Sequence, residues 1–283
     1  MIKPRFIKLM SDTTFKYMWK KNNTKKWFVE IIKEKTGIDL SNYYITDNEF
    51  NTGDILKDTR TDITLTDGLN KVVIVEMQDR YSESAMIKAL LYLFRSTGTL
   101  FEEGNEYDKN ATTTLIMFNN FYNKKDRTQP IVTHEFKAVE INHKYDFVKS
   151  YEIYLPIYYK LSYNNLNKID KRLYLFRCKS YKEMHDIIDN TEDLKILEEL
   201  ERLGMNRKFI CEYDREKVNK KLMNSLKSEG IREGEIKGEI RGEMRGRMER
   251  NIEVARNMLN DKVNLKSISK YTGLSINQIN SLR

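Results

Sequence analysis

Lys71-Val72-Val73-Ile74-Val75-Glu76-Met77-Gln78 is the stretch that decides the fold. Its run of β-branched residues is too short for a helix and typical of a strand covered on both faces. Asp67-Gly68, just upstream, is a turn signal, and Asp62 to Thr66 before it is a second β-prone segment, so the two read as a hairpin. The strand period of two puts Glu76 and Gln78 on one face with Ile74, while Val75 and Met77 face the other way. Antiparallel neighbours lie about 5 Å apart, so the hairpin brings Asp62, at the start of the first strand, beside Glu76 near the end of the second.

Working outward, Ser11-Asp12 has the chemistry of a helix start, and Phe15, Met18, Trp19, Phe28, Ile31 and Ile32 recur at helical spacing up to Gly37. A helix is expected over residues 12 to 36, with a break near Asn22 and Asn23. Tyr43 to Phe50 is β-prone and is followed by a Gly53/Asp54 turn signal. Downstream, Met86, Ile87, Leu90, Leu91, Phe94 and Leu100 keep a helical period from Ser84 to Glu103 and stop at Gly104, and Thr113 to Phe118 reads as another buried strand. The order is helix, three strands, helix, strand, an α/β arrangement. Segments 131 to 141 and 151 to 157 extend the sheet, and residues 180 to 226 return to helical patterning.

The 283 residues are 40% apolar and 11% aromatic, enough to fill a core and to exclude disorder as the dominant state. Lysine and arginine total 50 against 42 acidic residues, a net charge of +8 that suits a nucleic-acid partner without demanding one. Three prolines and twelve glycines argue against collagen-like, linker-like or loop-rich all-β architectures. Cys178 and Cys211 stand far apart with no CxxC pair, which disfavours a disulfide scaffold or a zinc site. No signal-peptide pattern and no apolar run of about 20 residues is present, so a soluble cytoplasmic protein without membrane contact is expected. His134, His143 and His185 are scattered singly and read as structural or solvated. Tyr151, Tyr154, Tyr158 and Tyr159 suit either base stacking or a half-buried core position.

Two adjacent carboxylates repel each other unless a cation sits between them, and hard oxygen ligands select magnesium or manganese over softer metals. A bound dication lowers the pKa of water and neutralises charge developing on a phosphodiester, which is nuclease chemistry. Spacing alone leaves open the plainer alternative that Asp62 starts a strand, Glu76 ends one, and both are solvated.

Val75-Glu76-Met77-Gln78, together with Thr61-Asp62-Ile63 and Asp12-x-x-Phe15-Lys16, resembles the recombination-promoting nuclease/putative transposase family of the PD-(D/E)XK superfamily. The resemblance extends through Lys88-x-x-Leu91-Tyr92, Gly104-x-x-Tyr107, the Glu-Gly-Ile repeats from Glu229 and the closing Thr272-Gly273-Leu274-Ser275, and it rests on their order and spacing together. It implies a PD-(D/E)XK nuclease-like α-β-β-β-α-β core with a helical C-terminal extension, hydrolysing DNA with Mg2+, or Mn2+ or Ca2+. Asp62 and Glu76 match the motif acids and Gln78 stands where most of the superfamily has lysine. The Met77 backbone carbonyl is then a third metal ligand. An amide holds no charge and takes no proton at neutral pH, so Gln78, a candidate catalytic residue, can orient water or phosphate but cannot perform lysine's electrostatic role. Lys88 is the candidate substitute cation, and Asp12 a candidate member of the same site. Each has a plainer alternative, a solvated lysine for Lys88 and a helix-first-turn acid favoured by the macrodipole for Asp12. No residue is assigned to DNA contact.

After Ser228 the composition changes: Gly230, Gly234, Gly238, Gly242 and Gly246 recur every four residues. Glycines in a helix each cost about 1 kcal/mol relative to alanine, so something is expected to pack on them. Spacing of four makes one stripe that lets two helix backbones approach, flanked by Ile236, Ile240, Met244 and Met248, and a homodimer is expected. A flexible charged connector is the plainer alternative. Residues 251 to 283 hold two short helical patterns joined by Thr-Gly-Leu-Ser, resembling a helix-turn-helix whose second helix is scarcely two turns and serves better as a cap on the dimer stalk. The expected divisions are a core over 1–160, a helical region over 161–227, the repeat helix over 228–250 and the terminal unit over 251–283. Three functions compete: a Mg2+-dependent DNA endonuclease linked to recombination or transposition by the resemblance, a catalytically weak or inactive DNA-binding or interaction protein of mobile-element origin, and a purely structural assembly.

Overall fold

The computed structural model describes residues 3–46, 49–50, 59–100, 110–123, 128–138 and 143–282. It divides into two compact units, Met1–Glu216 and Lys217–Arg283.

The first unit is α/β and is built on a mixed six-stranded sheet. Its strands are β1 (Tyr44–Ile45), β4 (Ile63–Thr66), β5 (Lys71–Gln78), β6 (Thr112–Asn119), β7 (Ile131–Ala138) and β8 (His143–Tyr154), in the order β1-β4-β5-β6-β8-β7. Two short strands, β2 (Glu49–Phe50) and β3 (Thr59–Arg60), pair separately. β5, β6 and β8 are parallel, and the remaining pairs in the large sheet are antiparallel. The parallel β5–β6 step requires a crossover, which α3 (Glu83–Thr99) supplies.

The expected amino-terminal helix is two, α1 (Asp12–Lys20) and α2 (Asn22–Thr36), interrupted at Lys21. Ser11 caps α1 by accepting from the Thr14 N–H, and Gly37 ends α2 in the left-handed conformation at φ 78°. The carboxyl-terminal end of the 151–157 segment departs from expectation. β8 stops at Tyr154 and α4 (Leu155–Lys160) begins at once, because Pro156 cannot donate to a ladder but fits a first helical turn. Helices α5 (Lys168–Leu175), α6 (Tyr181–Ile187) and α7 (Thr191–Met205) follow. The Gly53/Asp54 turn, Gly104 and Tyr107 lie outside the described residues.

Two cores sandwich the sheet. Val73, Val75, Ile116, Phe118 and Ile153 face a large cluster with Phe15, Trp19 and Phe28 from α1 and α2 and Leu173 and Leu197 from α5 and α7. Ile74, Leu115, Met117 and Val148 face Ala89, Tyr92 and Leu93 of α3. The alternation read from the sequence thus sends Ile74 and Val75 into different cores. In α3 the buried face is Ala89, Tyr92, Leu93 and Ser96, whereas Ile87, Leu90, Leu91 and Phe94 of the expected apolar period are exposed. A fully buried Arg172 ties α2, α5 and α7 together through Glu30, Glu192 and Asp193, at 2.6, 2.7 and 2.8 Å. Trp27 Nε1 donates to the same Asp193 oxygen at 2.8 Å, so no charge in this group is buried alone.

Helix α8 (Arg207–Asn260) begins in the first unit and continues into the second. Its five repeat glycines are exposed, and a Cβ built on each meets nothing within 4 Å. Ile236, Ile240, Met244 and Met248 are also exposed in the single chain. Beyond it, α9 (Leu265–Thr272), a turn with Gly273 at φ 70° and α10 (Ile276–Asn280) close on a small core of Ala255, Ile268, Leu274 and Ile279. With five residues, α10 is shorter still than the expected second helix of scarcely two turns. Among the described residues no helix is long and apolar enough to cross a membrane.

Candidate active site

The geometry starts at the hairpin. Asp67 Oδ1 accepts from the backbone N–H groups of Leu69, Asn70 and Lys71 at 3.0, 3.2 and 3.0 Å, and Gly68 takes φ 80° where a side chain would also strike Tyr44. This turn holds the register Ile63↔Val75, which sets Asp62 opposite Glu76. A slip of one residue would turn Glu76 into the opposite core. Each acid grips the backbone of the opposing strand. The Asp62 N–H donates to Glu76 Oε1 at 3.0 Å, and the Met77 N–H donates to Asp62 Oδ2 at 2.9 Å. Gln78, at the end of β5, donates from Nε2 to Glu76 Oε2 at 3.4 Å.

Helix α1 delivers the remaining groups. Burial of Phe15, Met18 and Trp19 fixes one face of it on the core, so the opposite face carries Asp12 and Lys16 to the strand pair. Lys16 Nζ lies 2.9 Å from Asp12 Oδ1 and 3.3 Å from Asp62 Oδ1. Asp12 is therefore next to Asp62. Lys16 entered the sequence reading only as part of a motif, and its role was missed. The i,i+4 step from Asp12 beside a buried Phe15 was the available signal. Lys88 is placed differently: it is exposed on α3, its ammonium 5.2 Å from the Tyr92 ring centroid, and it acts on Glu76 through space.

Electrostatics set the acids apart from ordinary surface carboxylates. Burial, then the Asp62 charge, pushes Glu76 up to about 8, against the pull of the Asp62 N–H, Lys88 and Lys16. Burial, then the charge and hydrogen bond of Asp12, pushes Asp62 up to about 6, opposed by Lys16 and the Met77 N–H. For Lys16, burial disfavours the ammonium, but Asp62 and Asp12 more than offset it and its pKa is raised. Among the described residues, Asp12 and Asp62 share the Lys16 ammonium, and Glu76 feels it through space. A divalent cation would neutralise such a cluster of acids, and magnesium needs only one or two carboxylates with water completing its shell. Asp62, Glu76 and the Met77 carbonyl match this donor chemistry. Among the described residues no group of three or more His, Cys, Asp or Glu is disposed as a ready-made metal cage.

Glu152, two strands across, pairs through Met117 with the same register row as Glu76. It is buried and accepts from Asn119 Nδ2 at 3.1 Å, from the Tyr154 hydroxyl and from His134 Nε2 at 2.8 Å. Burial raises the Glu152 carboxyl, but His134, Tyr154 and Asn119 outweigh it and its pKa is lowered, while that of His134 is raised by the same pair. His134 is thus the structural one of the two alternatives expected of it, and its partner was not legible in the sequence because residues 134 and 152 meet only through the β7–β8 pairing. Tyr154 and Tyr158 are buried, and Tyr151 and Tyr159 pack against the main core, which takes these tyrosines away from base stacking. A cleft in the terminal unit, lined by Arg256, Lys262 and Asn264 among others, lies among residues remote in sequence from these acids. No protein-family model, curated protein or solved structure matches the chain.

Proposed function

We propose that this chain is a divalent-metal-dependent DNA endonuclease centred on Asp62 and Glu76. The observation that carries the reading is the reciprocal clasp of two largely buried carboxylates across β4 and β5, both shifted upward by burial and by neighbouring acids. The order of helix, three antiparallel-paired strands, crossover helix and parallel strand supports a PD-(D/E)XK-like core. Asp62, Glu76 and the Met77 carbonyl would hold Mg2+ or Mn2+, which when bound supplies an activated water and charge neutralisation at the phosphate. Glu76 holds a proton near neutral pH and gives it up as the pair takes up the cation. Gln78, donating to Glu76 Oε2, orients that carboxylate. The net charge of +8 favours a DNA partner. The exposed glycine and Ile/Met positions of α8 suit self-association as a homodimer.

A second reading is favoured by one residue: Gln78 carries no charge, and a chain that binds DNA without cutting it efficiently would tolerate this. Supercoiled plasmid incubated with wild type, Asp62→Ala and Glu76→Ala, in Mg2+ and in chelator, separates the two. Metal-dependent cleavage lost in both variants is the expected result. Equal DNA binding by all three without cleavage supports the second reading and overturns the first.

A further inference from the structure

Gln78 leaves the strand end without a charge for the phosphate, and Lys88 lies on an exposed helix face over Tyr92. Among the described residues, Lys16 brings an ammonium to the acids themselves, 3.3 Å from Asp62 Oδ1 and 2.9 Å from Asp12 Oδ1. We propose that Lys16 is the movable counter-charge of this site: it neutralises Asp62 in the cation-free protein, yields that carboxylate when Asp62 and Glu76 take up a divalent cation, and then contacts the DNA phosphate while Asp12 retains it. The inference rests on the nuclease reading and adds the residue that supplies the positive charge Gln78 lacks.

Three features of the geometry carry it. Asp12 and Lys16 are i,i+4 on α1, so their contact is internal to one helix and survives when Asp62 is given up. The Met77 N–H holds Asp62 Oδ2 at 2.9 Å, which keeps that carboxylate on the strand pair whether or not Lys16 stays. The Lys16 side chain is 32% exposed, so its flexible stem has solvent to move into, and an ammonium is a compact charge well matched to a phosphate oxygen. An ammonium and a dication both competing for one carboxylate also make a specific prediction. Removing the lysine should strengthen cation binding and weaken turnover, whereas a lysine that merely scaffolds Asp62 would weaken both.

The test measures Mn2+ binding by the loss of the free-ion electron paramagnetic resonance signal, and plasmid cleavage at saturating Mn2+, for full-length wild type, Lys16→Met, Lys16→Gln and Lys16→Arg. The neutral variants should bind Mn2+ about fivefold tighter, the size of a partly exposed ion pair, and cleave at least about tenfold more slowly, with Lys16→Arg recovering part of the rate. The two neutral variants serve as alternatives should one fail to fold. Mn2+ binding that is unchanged or weaker overturns the proposal, and so does tighter binding with wild-type cleavage. Wild type that neither binds Mn2+ nor cleaves brings down the nuclease reading itself and this inference with it. Wild type that does both, beside neutral variants that bind no tighter, brings down this inference alone.

Discussion

Replacing Glu76 with glutamine removes a buried negative charge while keeping the shape of the side chain and an oxygen for the Asp62 N–H. In cation-free buffer the folded protein holds the Glu76 proton up to about pH 8, against an ordinary value of 4.5. The native state therefore binds this proton more tightly than the unfolded chain does. Wild-type stability should fall as pH rises from about 4.5, and the loss should be complete once pH has passed about 8. At about 1.4 kcal/mol per pH unit, the interval corresponds to a penalty on the order of 5 kcal/mol at pH 9, and with Glu76 only 5% exposed solvent screens little of it. Glu76→Gln should lack this penalty and be the more stable protein at pH 9 in chelator. If the pair binds the cation as proposed, the order should reverse in millimolar Mg2+, which would then stabilise only the intact pair. Trp19 and Trp27, the two tryptophans of the chain, both lie buried in the first unit, so urea unfolding followed by tryptophan fluorescence at pH 5, 7 and 9 reads that unit. Parallel pH dependences for the two proteins would refute the reasoning, since they would mean that ionising Glu76 costs the fold nothing.

Two further perturbations probe packing. A Cβ at Gly204 would lie 2.2 Å from the Arg5 carbonyl oxygen and 2.8 Å from the Tyr181 hydroxyl, so Gly204→Ala should destabilise the first unit by about 2–3 kcal/mol, read by the same fluorescence assay, and an unchanged urea midpoint would contradict this packing. In α8 the outcome should be opposite for the helix and the assembly. Gly234→Ala/Gly238→Ala should raise helicity in circular dichroism, each residue favouring the helix by about 1 kcal/mol, while sedimentation velocity shows a weakened dimer, and a dimer of undiminished strength would rule out close packing on the glycine stripe.

Much of the sheet was legible because its signals are local. The β-branched run at Val72–Val75 and the Thr113–Phe118 segment became β5 and β6, and Asp67-Gly68 made the turn that pairs Asp62 with Glu76. The break near Asn22 was legible too, displaced to Lys21. The long β7–β8 pairing was harder to bound, since β8 runs from His143 straight into α4 with no turn residues between them. In α3 the apolar period was real, yet the face that packs is carried by Ala89, Tyr92 and Leu93, and periodicity cannot say which side meets the sheet.

By itself, the sequence determined the local geometry: turn residues, strand alternation and helical period act over a few positions and need no distant partner. It thereby placed two acids side by side. Tertiary structure decided their chemical character, because a carboxylate's pKa depends on how much water it loses and which charges face it, and those come from α1 and from across the sheet. The Lys16–Asp62 and Asp12–Asp62 contacts and the His134–Glu152 pair belong to this second class, since residues far apart in the chain meet only once the core has closed around them.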